Sequence, residues 1–134
     1  MAEVIALDTH ALIFWATNQM KKFGRDGRGL IEAFESGRVR FLVPAPVVLE
    51  TWFLERGGHI QVPVTFGAWW DSLLDAGLEE ISMTAGDVQA ASRLNWKHDD
   101  PFDRLIAAMA LRAHAPLMTR DEALVGWGGL PTVW

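Results

Sequence analysis

The sequence predicts an α/β fold, a three-layer α/β/α sandwich around a mainly parallel sheet, on three observations. Strand-like apolar runs alternate with helical segments along the whole chain. The first run, Val4-Ile5-Ala6-Leu7, is apolar at every position, as a strand covered on both faces must be. A length of 134 residues, half of them hydrophobic, suits one compact unit over 1–134 and leaves little room for another.

Taken in order, the first strand ends abruptly at Asp8, and Ala11 to Ala16 opens a helix. Gly24, Gly27 and Gly29 are expected to break the next stretch before a helix over Leu30 to Glu35. Val39 to Val43 reads as the second strand, closed by Pro44 and Pro46, and Pro46 suits the first turn of a helix that runs to Arg56 and stops at Gly57-Gly58. Phe66 to Leu74 is amphipathic and helical, and Leu78 to Ser82 is a short strand. Thr84 with Asp87 three residues on forms a capping box for a helix towards Leu94. Asp100-Pro101 opens a helix in which Phe102, Leu105, Ile106, Met109, Ala110 and Ala113 recur at helical spacing. Leu117-Met118-Thr119 is a strand, Glu122 to Val125 a helical turn, and Pro131 to Trp134 an edge strand. In such a sheet the chemistry gathers at the carboxyl ends of the strands.

Composition excludes several chemistries. Without Cys there is no disulfide framework, thiolate nucleophile or Cys-ligated metal centre. No apolar run approaches the roughly 18 residues that span a bilayer, and Glu3 and Asp8 stand where a signal peptide would carry bases, so a soluble, cytoplasmic protein with no membrane partner is expected. The net charge of −5 is unpromising for nucleic acid. Lys21, Lys22, Arg25, Arg28, Arg38 and Arg40 nevertheless cluster, which reads either as a local basic patch or as a solvated face.

The acids carry the functional signal. Asp8 and Asp121 both fall at the predicted carboxyl edge, where each alone would be explained as a helix N-cap. Glu50 lies in Pro46-Val47-Val48-Leu49-Glu50-Thr51-Trp52-Phe53-Leu54, a helix apolar on nearly all sides with no base within one turn, so it either occupies a narrow solvent-facing stripe or is satisfied by a cation or a donor from elsewhere, and a functional carboxylate is the favoured reading. Asp100 is explained as an N-cap; Asp103 either complements the helix dipole or projects towards the sheet edge. His98 reads as a loop residue, and His10 is near enough to Asp8 to line a site. Gathering Asp8, Glu50, Asp103 and Asp121 in one place would be unfavourable without a counterion. All-oxygen ligation suits Mg²⁺ or Mn²⁺, and the lack of Cys and scarcity of His argue against zinc.

Leu7-Asp8-Thr9-His10-Ala11-Leu12, the helix carrying Glu50, Asp100-Pro101-Phe102-Asp103-Arg104-Leu105-Ile106-Ala107-Ala108 and Thr119-Arg120-Asp121-Glu122-Ala123 resemble, in that order, the motifs of PIN-domain proteins, above all the VapC-type toxins of bacterial toxin–antitoxin pairs. The likeness spans almost the whole chain, and the DPFDR block is its most specific piece. It implies a metal-dependent endoribonuclease whose acids match Asp8, Glu50, Asp103 and Asp121, with Thr9 and Thr119 supporting the ligands from behind. It further implies an RNA substrate, a small antitoxin partner and a homodimer. The glycines at 24–29 and the seven Trp depart from a generic member.

On this reading Asp8 and Asp103 contact the ion directly, and Asp121 and Glu50 hold a second ion or a water. Arg104 and Arg120 are expected either to contact phosphate or to pair with a neighbouring acid. Trp69, Trp70, Trp96 and Trp127 belong to the core unless exposed, where they would stack bases or cover a partner. The rival enzyme is a Mg-dependent phosphoaspartyl phosphatase or receiver-like domain, against which Asp8-Thr9-His10 lacks a second Asp. The rival from another class is a non-catalytic RNA- or partner-binding module that keeps the acidic pocket.

Overall fold

A computed structural model describes residues 3–134. Its sheet has five strands, β1 (Glu3–Leu7), β2 (Val39–Pro44), β3 (Glu79–Ile81), β4 (Leu117–Met118) and β5 (Thr132–Val133), in the order β3-β2-β1-β4-β5. Every pairing is parallel, and the central register sets Ile5 against Phe41 and Leu7 against Met118. Parallel neighbours need crossovers, and the helices supply them: α1 (Thr9–Ala16), α2 (Arg25–Glu35), α3 (Ala45–Arg56), α4 (Phe66–Asp75), α5 (Ala85–Ser92), α6 (Pro101–Arg112) and α7 (Glu122–Trp127). This is the expected α/β architecture with an all-parallel centre.

The core sits on the central strands. Ile5, Ala6, Leu7, Phe41, Val43, Leu117 and Met118 are almost fully shielded, and Leu12, Ile31, Val47, Ile106 and Leu124 close over them from the helices. Each large side chain buried in this way stabilises the fold by about 1.5–3 kcal/mol relative to exposure. The chain moves outward from β1 to β2 and β3, then returns to the other side of β1 for β4 and β5. Strand order therefore reverses between β1 and β4, and at such a switch point the loops leaving the two strands diverge and open a crevice. Asp8 leaves β1 and Asp121 follows β4, so both stand at that crevice.

One expectation is corrected. The glycines do not break the chain before Leu30: α2 starts at Arg25 and carries Gly27 and Gly29 within it. Gly24 and Gly27 face the Trp134 backbone, where an added Cβ would come within 2.7 Å and 3.0 Å of its atoms. Close approach, not chain reversal, accounts for these two glycines. The helix tolerates them because Phe23, Ile31 and Ala33 anchor the segment in the core. Of the expected basic cluster, Arg40 instead forms an ion pair with Glu79, at 2.6 Å.

Candidate active site

Three of the four acids arrive at the crevice as the local structure of their helices demands. Asp8 is the N-cap of α1 and accepts the Ala11 N–H at 2.8 Å. Asp121 caps α7, accepting from Ala123 and Leu124 at 2.9 and 3.3 Å. Asp100 caps α6, accepting from Phe102 at 2.8 Å, and Pro101 in the first turn leaves no N–H unsatisfied. Asp103 follows within that first turn. Capping and site formation are thus compatible roles, because the N-termini of α1, α6 and α7 open on one cavity.

Asp8, Glu50, Asp103 and Asp121 line one cavity of about 100 Å³, together with Asp100, Thr9 and His10. Glu50 comes from the middle of α3, where its partner is the Thr9 hydroxyl, which donates to Oε1. The Thr119 hydroxyl accepts the Asp121 N–H at 3.0 Å and also faces Asp8. Among the described residues no Lys or Arg forms an ion pair with any of the four acids; the pairs present are Arg40–Glu79, Arg112–Asp87 and His98–Asp103. A larger cavity, about 560 Å³, opens among Glu3, Pro116, Pro131 and α2 at the other end of the strands and contains none of these acids.

Electrostatics follow from this crowding. Burial pushes the Asp8 carboxyl from 3.8 up to about 6, reinforced by the nearby Asp121 charge and opposed by Thr119, the Ala11 N–H and His10. Asp8 is only 6% exposed. Burial likewise raises Asp103, with Asp100 and Asp121 adding to the rise and His98 opposing it. Two carboxyls held above their ordinary values in a cavity with no paired Lys or Arg form an environment that favours a cation. The donors are hard oxygens, the set that suits Mg²⁺ or Mn²⁺, so the residues present fit such an ion.

Sequence reasoning missed the part played by His98. It lies in a loop as expected, but its Nε2 donates to Asp103 Oδ2 at 2.7 Å. Its other partner is Trp96, whose ring centroid lies 4.8 Å away, and Trp96 in turn stacks on Trp127 at 4.7 Å. His98, Asp100 and Asp103 also form a group of ligand-type atoms lying within 4.8 Å of one another. Asp8, Glu50 and Asp121 line the same cavity without joining that group. The signal available in the sequence was the position of His98 five residues ahead of Asp103, which carries weight only once the α6 cap is known to turn the chain back.

Arg104 is a correction. It pairs with no acid among the described residues: its guanidinium donates to the carbonyls of Ala91, Leu94, Trp96 and His98 at 2.7–3.1 Å. A planar fork of five N–H donors can gather a whole loop in this way, and here it fixes the segment that presents His98. Trp69 and Trp70 are core residues as expected. Trp96 and Trp127 are half-buried against each other.

Several solved structures share this fold. VapBC2 from Rickettsia felis, bound to a DNA fragment from their promoter, matches with a TM-score of 0.69 at 17% identity, over 98% of both chains. A toxin–antitoxin complex from Klebsiella pneumoniae matches with a TM-score of 0.64 at 17% identity, over 97% of this chain and 96% of that one. Mycobacterium tuberculosis VapC20, a sarcin–ricin loop cleaving toxin, matches with a TM-score of 0.61 at 18% identity, over 92% of this chain and 95% of that one. No curated protein matches the chain. The PIN domain family model matches residues 5–126, a span that includes all four acids, and the chain therefore belongs to the PIN domain family.

Proposed function

We propose that this protein is a metal-dependent endoribonuclease that hydrolyses RNA phosphodiester bonds, the toxin of a VapBC-type pair. One observation carries the reading: acids from four separate stretches of chain meet in one cavity without a Lys or Arg partner, at the switch point of a PIN fold. Collecting that charge opposes folding, so it is an arrangement for binding a cation rather than for stability.

Asp8, Asp103 and Asp121 would hold Mg²⁺ or Mn²⁺, with Glu50 completing the set. A bound ion supplies charge neutralisation, polarisation of a phosphodiester oxygen and a lowered pKa for water. The remaining work belongs to the chain. Thr9 holds one Glu50 oxygen, which orients that carboxylate to accept the proton of an attacking water. His98 fixes the Asp103 rotamer, and Thr119 ties the Asp8 and Asp121 sides of the cavity together. The α1 N-terminus, already facing the cavity, favours the negative charge that builds on phosphate.

The fold shared with toxin–antitoxin complexes supports a small antitoxin as partner, with a second copy of the chain as the other expected partner. No helix among the described residues is long and apolar enough to cross a membrane. The test is incubation of antitoxin-free protein with structured RNAs, with Mn²⁺ and with chelator, beside Asp8→Asn. Cleavage that is lost with both chelator and the variant supports the reading. Binding without cleavage would leave a non-catalytic module, and phosphoryl labelling of Asp8 would make it a phosphoaspartyl enzyme.

A further inference from the structure

The acidic cavity is flanked by a shallower hollow of about 210 Å³, bounded by Asp8, His10, Asp121 and Arg120. Arg120 is exposed and, although it precedes Asp121 in the chain, is absent from the ion pairs of the described residues. It is held by aromatic faces. Its guanidinium carbon lies 4.8 Å from the Phe14 ring centroid and 5.6 Å from that of Trp134. Lys22 Nζ approaches the same Phe14 ring, at 5.8 Å. A cation held on rings keeps its charge and its donors free, whereas one held by a carboxylate does not.

The seat itself is built. Trp134 Nε1 donates to the Lys22 carbonyl at 3.0 Å, and the Trp134 ring stacks on Phe23 at 4.8 Å and meets the edge of Phe14 at 6.2 Å. Gly24 and Gly27 admit the Trp134 backbone, which any larger residue would displace. Gly24, Gly27 and Trp134 therefore serve one arrangement. It matters because a cavity lined with carboxylates repels a polyanion, and a substrate backbone needs a cation beside it to approach.

We infer that Arg120, seated on Phe14 and Trp134 with Lys22 alongside, binds a backbone phosphate of the RNA at the mouth of the acidic cavity, and that Trp134 is the residue that positions it. This rests on the nuclease reading. The guanidinium fork suits a bidentate phosphate contact, and Lys22 adds a second charge on the same path.

The test is equilibrium binding of a short fluorescein-labelled single-stranded RNA to the Asp8→Asn protein in magnesium, over a series of salt concentrations. Adding Arg120→Gln should weaken binding about fivefold or more and reduce the slope of log K against log salt by about 0.7, one phosphate contact to a single strand. Arg120→Lys should keep the slope. Trp134→Leu and Gly24→Ala should weaken binding with the arginine still present, and Trp134→Phe should restore it, a rescue that a merely structural role would not give. Arg38→Gln, an exposed cation outside the hollow, should leave affinity and slope unchanged. An Arg120→Gln protein with parental affinity and slope, or an equal loss from Arg38→Gln, overturns the inference while wild-type cleavage leaves the nuclease reading standing. Wild-type protein that neither binds nor cleaves RNA overturns both.

Discussion

The Thr9 hydroxyl donates to Glu50 Oε1, joining the first residue of α1 to the middle of α3 across 41 positions of sequence. Glu50 is thereby satisfied without a base, in a helix that offers it no charged neighbour. Thr9→Val should remove the donor while keeping the shape and lower cleavage about 10–100-fold, the usual cost of losing a partner that orients a ligand. Thr9→Ser should recover most of the rate. Single-turnover kinetics on one RNA substrate would measure both, and a Thr9→Val rate equal to wild type would remove Glu50 orientation from the mechanism.

Asp8 trades stability for the site. Its folded pKa of about 6 lies above the ordinary 3.8, so the folded protein binds the extra proton. The stabilisation this provides is complete below 3.8 and is lost as pH rises through about 6. Metal-free protein should therefore melt at a lower temperature near neutral pH than near pH 5, as far as this group decides. Asp8→Asn, which keeps the N-cap acceptor, should stabilise the metal-free protein at neutral pH by on the order of 1–3 kcal/mol. Differential scanning calorimetry would check this, and a destabilised Asp8→Asn protein would contradict it.

Arg112 supports the buried Asp87, far from the cavity, at 2.6 Å. Burial alone would raise the Asp87 carboxyl, but Arg112 and the Thr84 donors together hold it below its ordinary value. A lowered carboxyl contributes stability that is present above the unfolded pKa and lost as pH falls through the folded one. Arg112→Met should cost about 1–3 kcal/mol in urea unfolding, because Asp87 keeps its burial and loses its charged partner. RNA cleavage by the folded fraction should be unchanged.

Arg104→Lys replaces the fork that gathers four carbonyls with a single point charge. The expected loss is about 2–3 kcal/mol, with limited proteolysis shifting to residues 93–99. In Arg104→Gln, which removes the charge, the salt dependence of RNA binding should stay at its wild-type slope. A lower slope in Arg104→Gln would give Arg104 a phosphate-contacting role beside its four carbonyl contacts.

The alternation of apolar runs made the sheet legible, since Val4 to Leu7 reads as a strand covered on both faces and Val39 to Val43 as a second strand. The helix boundaries around Pro46, Thr84 and Asp100 were legible because capping chemistry is local. The extent of α2 was not, because Gly27 answers to Trp134, more than a hundred residues away. The same distance explains the site. Asp8 and Asp121 could be placed at one edge from strand order alone, whereas the partners of Glu50, Asp103 and Arg104 depend on side-chain directions that only the packed helices define. His98 and Arg104 were each read from their neighbours in sequence, and their neighbours in space proved decisive.

Isothermal titration of Mn²⁺ into metal-free protein near neutral pH tests the central claim most directly. Saturable uptake by the wild type, abolished in Asp8→Asn and strongly weakened in Asp103→Asn, is the predicted result. Folded wild-type protein that takes up no divalent ion, or variants that take it up as the wild type does, would contradict it.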